Sequence, residues 1–113
     1  MRDIGVIEML KEKHIAKLGT VFGLVINVDN MEPKISKGDV IIVRRQEDAE
    51  TGDIVIATIN GYDVICVKLK KNENEIGLLS TNPDYAPIYF SNEEIQNKPV
   101  KIIGKVVELR AKI

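Results

Sequence analysis

The chain has 113 residues, one domain's worth, of which 44% are hydrophobic and 29% charged. That balance supports a single buried core and excludes the apolar-poor, charge-rich make-up of a disordered chain. Sixteen Lys and Arg against seventeen Asp and Glu leave a formal net charge of -1, which argues against a surface built mainly to hold nucleic acid. One cysteine, Cys66, and one histidine, His14, exclude a disulfide framework and a zinc site of four Cys/His ligands, and point to a reducing compartment. No run approaches the ~18 to 20 apolar residues of a membrane-spanning helix, and no basic segment precedes an apolar one at the N-terminus. The expectation is a cytoplasmic protein with no membrane partner, no metal and no cofactor.

In chain order, residues 1–18 are read as an N-terminal segment or linker that is possibly helical, with Ile4, Ile7 and Leu10 three residues apart and a polar run behind them. His14 falls there and is expected at the surface. From residue 19 to 113 the texture is that of one mainly β domain, with β-branched runs bounded by turn residues: Val21 to Val28, Val40 to Arg44, Ile54 to Ile59, Tyr62 to Leu69, Ile76 to Leu79 and Val100 to Leu109. Asn60-Gly61 between two such runs predicts a tight antiparallel hairpin, because a type I′ turn needs positive φ at both central residues. Thr81-Asn82-Pro83-Asp84 reads as a turn, and Ser91-Asn92-Glu93-Glu94 as a capping box that starts a helical turn.

The informative stretch is Val28-Asp29-Asn30-Met31-Glu32-Pro33, followed by Lys37-Gly38-Asp39 and Gly52-Asp53, each Gly-Asp pair leading into a β-branched strand. Val67-Lys68-Leu69, Asn82-Pro83-Asp84-Tyr85 and Ile102-Ile103-Gly104-Lys105-Val106 follow in order. This set resembles the C-terminal domain of LexA and phage CI-type repressors over roughly residues 21 to 110. The motif positions that carry the resemblance are Asp29, Asn30, Met31, Pro33, Gly38, Asp39, Gly52 and Asp53. Signal peptidases share the Met-x-Pro and Gly-Asp pieces but lack the Asn-Pro-x-Tyr and Ile-Gly-x-Val ones. The resemblance implies a LexA-like, signal-peptidase-like fold of antiparallel strands, a Ser-Lys dyad that cuts the chain's own Ala-Gly or Cys-Gly bond, and a homodimer. It also implies that DNA is read only through an N-terminal helix-turn-helix domain, for which residues 1–18 are too short.

Carried over by position, the family's general base falls on Lys68 and its nucleophile on Asn30, where the pattern has serine. An amide nitrogen has its lone pair delocalised and cannot attack a carbonyl as an activated hydroxyl does. In serine proteases, loss of the nucleophile costs ~10⁶ in rate. The chain also has no Ala-Gly and no Cys-Gly dipeptide. A lysine that serves as a base at neutral pH needs its ordinary value of ~10.4 lowered by about 3 units through burial, so Lys68 requires an apolar surrounding.

Each of these residues also has a plainer reading. Asn30 is ordinary turn chemistry after a strand. Lys68 alternates with Val64 and Cys66, and is a solvated lysine beside Lys70 and Lys71; Cys66 is a small core residue. The expected function is the dimerisation and regulatory half of a prophage-like or stress-response repressor, with its self-cleavage site lost. The alternatives are a LexA-like serine peptidase inactivated by an engineered Ser to Asn change, and a free-standing module that forms mixed dimers with a full-length repressor.

Overall fold

The computed structural model describes residues 6–11, 15–61, 63–97 and 100–111. Among them, eight strands form one antiparallel sheet: β1 Val6–Lys11, β2 Val21–Val25, β3 Val40–Arg45, β4 Ile54–Ile59, β5 Asp63–Lys71, β6 Glu75–Leu79, β7 Ile88–Ser91 and β8 Val100–Arg110. A short helix, α1, spans Asn92–Gln96. Seven strands run in the order β2-β3-β8-β4-β5-β6-β7, and β1 is added to β5. The mainly β, antiparallel expectation is therefore met.

Local chemistry explains several elements. Asn60 and Gly61 both have positive φ, 54° and 70°, where β4 turns back into β5, and Ile59 lies opposite Asp63, so the hairpin forms as expected but its connection is one residue longer than a two-residue type I′ turn. At the start of α1 the Ser91 hydroxyl accepts the Glu94 amide at 3.2 Å while the Glu94 carboxylate accepts the Ser91 amide at 3.0 Å, a reciprocal capping box. The two Gly-Asp pairs build the same turn twice. The Asp39 carboxylate accepts the amide of Ser36 and the Asp53 carboxylate that of Glu50, both at 2.9 Å, and each aspartate's own amide returns to the carbonyl three residues back. Gly38 and Gly52 supply the positive φ, 92° and 95°, that the turn needs just before the aspartate.

The core has two parts, one on each face of β5. Val64 and Cys66 join Phe22, Leu24, Ile26, Met31, Ile41, Val43, Ile56 and Ile103. Ile65, Val67 and Leu69 join Ala49, Val55, Ala57 and Leu78. A strand buried on both faces reads as a continuous apolar run, as Val64 to Val67 does.

One expectation is corrected. Residues 6–11, within the segment read as possibly helical, form β1, with Val6 opposite Ile65. A weak three-residue periodicity gives way when an open strand edge offers hydrogen bonds to a segment beginning Val6-Ile7. His14 lies outside the described residues. The long C-terminal run is an interior strand: β8 sits between β3 and β4, with Ile41 opposite Leu109 and Ile56 opposite Gly104. Gly104 shows how close that approach is. A Cβ there would come within 2.5 Å of the Arg44 carbonyl oxygen and 2.7 Å of a Val43 methyl. Residues 26–28 leave the strand as a loop, and β7 is a strand for which the sequence carried no signal.

Candidate functional site

The site forms where one edge of β5 is incomplete. The Leu69 amide and carbonyl bond Asp53 and Gly52, on the β4 side, so by alternation the Cys66 carbonyl points away from β4. On that outer edge β1 pairs at Asp63 and Ile65, and β6 begins at Lys68. Cys66 falls in the gap, and the Asn30 side chain fills it. Asn30 Nδ2 donates to the Cys66 carbonyl at 2.9 Å and to Ser80 Oγ at 3.2 Å. A carbonyl can only accept, so the nitrogen of the carboxamide must face it. Asn30 is fully buried, and its Oδ1 has no hydrogen-bond partner among the described residues.

The loop that carries Asn30 is held by the Asn-Pro-x-Tyr turn 52 residues or so further on. The Asn82 amide donates to the Asn30 carbonyl at 3.0 Å, Asn82 Nδ2 to the Asp29 carbonyl at 2.9 Å, and the Tyr85 hydroxyl to the Asp29 carboxylate at 2.5 Å. Thr81 Oγ1 donates to the Glu32 carbonyl at 3.3 Å. The turn itself is an Asx-turn, with the Asp84 amide on Asn82 Oδ1 at 2.9 Å. Met31 anchors the other side, fully buried in the core, while Pro33, joined to Glu32 by a cis peptide bond, is exposed. Asp29 and Met31 thus fix the position of residue 30, and Gly38, Asp39, Gly52 and Asp53 shape turns away from it.

Lys68 is not brought to Asn30. Its side chain is exposed and, among the described residues, makes no hydrogen bond or ion pair. In the β5–β6 register Lys68 lies opposite Leu79, and one further step places Val67 beside Ser80. Residues directly opposite one another share a face of the sheet. The hydroxyl that Asn30 touches is therefore on the Val67 face, and Lys68 projects from the other. Val67 is fully buried among apolar side chains, so the Asn30 pocket holds no cationic group from β5. The burial that base duty requires is absent at Lys68.

Cys66 is buried, and loss of water around its thiol pushes its pKa up to about 12, so it is a neutral core group rather than a nucleophile. Asp53 is held below the usual carboxylate range by the Glu50 amide and, to a smaller degree, by Lys105 at 3.3 Å. Asp48 is lowered by Lys71, whose ammonium stands 2.8 Å away. Ser80, the hydroxyl nearest Asn30, and Tyr85 were missed as site residues by sequence reasoning. The Asn-Pro-x-Tyr spacing was visible, but its target 56 residues upstream was not. Among the described residues no cluster of His, Cys, Asp and Glu has the shape to hold a metal ion, and no helix is long and apolar enough to cross a membrane.

Residues 5–107 match the family model described as peptidase S24-like. Similar curated proteins include the LexA repressor of Oleidesulfovibrio alaskensis, 42% identical over 102 residues that cover 88% of this chain and 46% of that protein. The LexA repressor of Carboxydothermus hydrogenoformans is 40% identical over 104 residues, 90% of this chain and 48% of its own length. That of Bifidobacterium adolescentis is 37% identical over 90 residues, 78% of this chain and 34% of its own. The chain spans less than half the length of these relatives. The Asp-x-Met-x-Pro and Asn-Pro-x-Tyr pieces thus converge on one loop, the Gly-Asp pairs close turns elsewhere in the same fold, and the chain belongs to the peptidase S24-like family.

Proposed function

We propose that this chain is the regulatory and dimerisation domain of a LexA-like transcriptional repressor in which the self-cleavage site is inactive. The observation that carries the reading is Asn30, whose two amide hydrogens are committed to Cys66 and Ser80 in a fully buried pocket. The lone pair of that nitrogen is delocalised, the nearest lysine of β5 projects into solvent, and no substrate carbonyl has access to a group buried to this extent. Family membership supplies the regulatory context. DNA reading belongs, on this proposal, to sequence outside the part that aligns with the repressors, and the domain acts by pairing with a second copy or with a full-length repressor.

Intact-mass measurement of the purified chain tests the reading, after days at pH ~9, where lysine-dependent autolysis is favoured. A single unchanged mass near 12.6 kDa is expected. Two fragments summing to the whole chain, for example from a cut at Phe22-Gly23, would overturn it. A serine codon at position 30 in the parent gene would favour the engineered-peptidase reading instead.

A further inference from the structure

We propose that the sheet face carrying Lys68, Lys70 and Tyr89 binds single-stranded nucleic acid, with phosphates on the two ammonium groups and a base stacked on the tyrosine ring. The proposal stands on this face alone and is independent of the reading of the Asn30 site.

Along β5 the even-numbered side chains share one face. Val64 and Cys66 are buried there in the first part of the core, and the next two, Lys68 and Lys70, are exposed, so the cover over this face ends at Cys66. The register across three strands then fixes the neighbours. Lys68 lies opposite Leu79, Lys70 opposite Gly77, and Gly77 opposite Tyr89. The two lysines stand about 7 Å apart along the strand, and Tyr89 about 10 Å from Lys70 across two strand spacings.

Three features set this face apart from an ordinary solvated strand end. First, neither ammonium group has a hydrogen bond or ion pair among the described residues. Lys71, on the other face of the same strand, shows the contrast, held by Asp48 at 2.8 Å. Glu75, the carboxylate that β6 places on the lysine face, is half-buried and accepts Asn72 Nδ2 at 3.5 Å. Two like charges this close repel one another, and an anion with repeated charges relieves that repulsion. Second, Tyr89 lies down on the sheet. It is 43% exposed, and a Cβ on Gly77 would come 2.7 Å from its Cε1 and 3.6 Å from Lys70 Cβ, so the ring covers the glycine beside the lysine stem. Third, the φ of Gly77 is not positive, so no turn demands a glycine there. What the missing side chain permits is the flat ring, with one side on the backbone and the other available for stacking.

The ring decides between possible anions. An acidic peptide would satisfy the lysines and leave the ring unused, and a duplex keeps its bases stacked inside. A single strand offers a phosphate repeat and free base faces together. The chain's net charge of -1 confines this to a small patch, so weak binding without sequence preference is expected.

Fluorescence anisotropy of a labelled single strand of about ten nucleotides, titrated with the full chain, tests the proposal. Saturation is expected below ~1 mM protein at about 50 mM salt, with binding about 7-fold weaker at about 200 mM, the dependence of two phosphate contacts on a single strand. Lys68→Glu with Lys70→Glu should abolish binding. Tyr89→Leu still covers Gly77 but has no π face, and should weaken binding at least about 5-fold. Lys17→Glu with Lys37→Glu makes the same charge change at exposed positions near the β2–β3 end of the sheet and should cost no more than about 3-fold. Amide chemical-shift changes in the wild type, confined to β5, β6 and β7 on adding the strand, give a reading that needs no variant. Absence of binding up to ~1 mM, shift changes elsewhere, or equal losses from the two lysine pairs would overturn the site. Equal binding of a duplex or of an oligoglutamate, or a Tyr89→Leu variant that binds like the wild type, would overturn the assignment to a single strand.

Discussion

The Tyr85 hydroxyl donates to the Asp29 carboxylate at 2.5 Å, 56 residues away in sequence, and this bond ties the Asn-Pro-x-Tyr turn to the residue beside Asn30. With Asn82 it forms a clamp that sets where residue 30 points. Tyr85→Phe keeps the ring and removes only the donor. A partly buried hydrogen bond to a charged group contributes about 1.5 to 3 kcal/mol, so the variant should lose ~1.5 kcal/mol in urea unfolding with an unchanged m-value. Unchanged stability would show that the clamp does not hold the loop.

Position 30 permits a direct test of the site. On sequence alone, Asn30→Ser would complete a dyad with Lys68. In the structure Lys68 projects from the other face into solvent, so the variant should cut neither itself nor an added peptide with an Ala-Gly bond, by mass spectrometry over days at pH ~9. It should also be less stable by about 1 to 3 kcal/mol, because the shorter hydroxyl leaves the Cys66 carbonyl without its buried donor. Cleavage of the peptide, lost again with Lys68→Ala, would show that Lys68 reaches the site.

Cys66 makes stability fall in alkali. Burial raises its folded-state pKa to about 12 from an ordinary value of 9.0, so folding favours the protonated thiol. That contribution is complete below pH ~9 and is lost as pH rises from there toward the folded value, at about 1.4 kcal/mol per pH unit. Urea unfolding between pH 8 and 11 should show the slope, and Cys66→Ala should remove it while lowering stability at neutral pH through the cavity it leaves. A slope unchanged by the substitution would assign it to another group. The autolysis test is best kept near pH 9 for the same reason.

Thr58 carries a buried hydroxyl with no hydrogen-bond partner among the described residues. Thr58→Val replaces it by a methyl of nearly the same shape and should stabilise the domain by about 1 kcal/mol, raising Tm by roughly 4 °C. A destabilised variant would mean that the hydroxyl is satisfied in solution.

What the sequence by itself determined is what short-range chemistry decides. Asn60-Gly61 specifies its hairpin because only residues tolerant of positive φ close that turn, and the flanking strands are then neighbours by necessity. Ser91 and Glu94 cap α1 because three residues separate partners that must meet, and each Gly-Asp pair closes its turn within four residues. The family was legible in those same pieces and their order. The tertiary structure alone decided whatever depends on which strand lies beside which. It made residues 6–11 a strand, since the open edge of β5 outweighed a weak helical period. It buried β8 between β3 and β4, and so moved the free edge to β2. It also set the direction of Lys68. Alternation along β5 was readable from the sequence, but which of its two faces meets Asn30 followed only from the pairing with β6 and the contact with Ser80. A side chain's reach is set by its neighbours in space, and those neighbours are residues far apart in the chain.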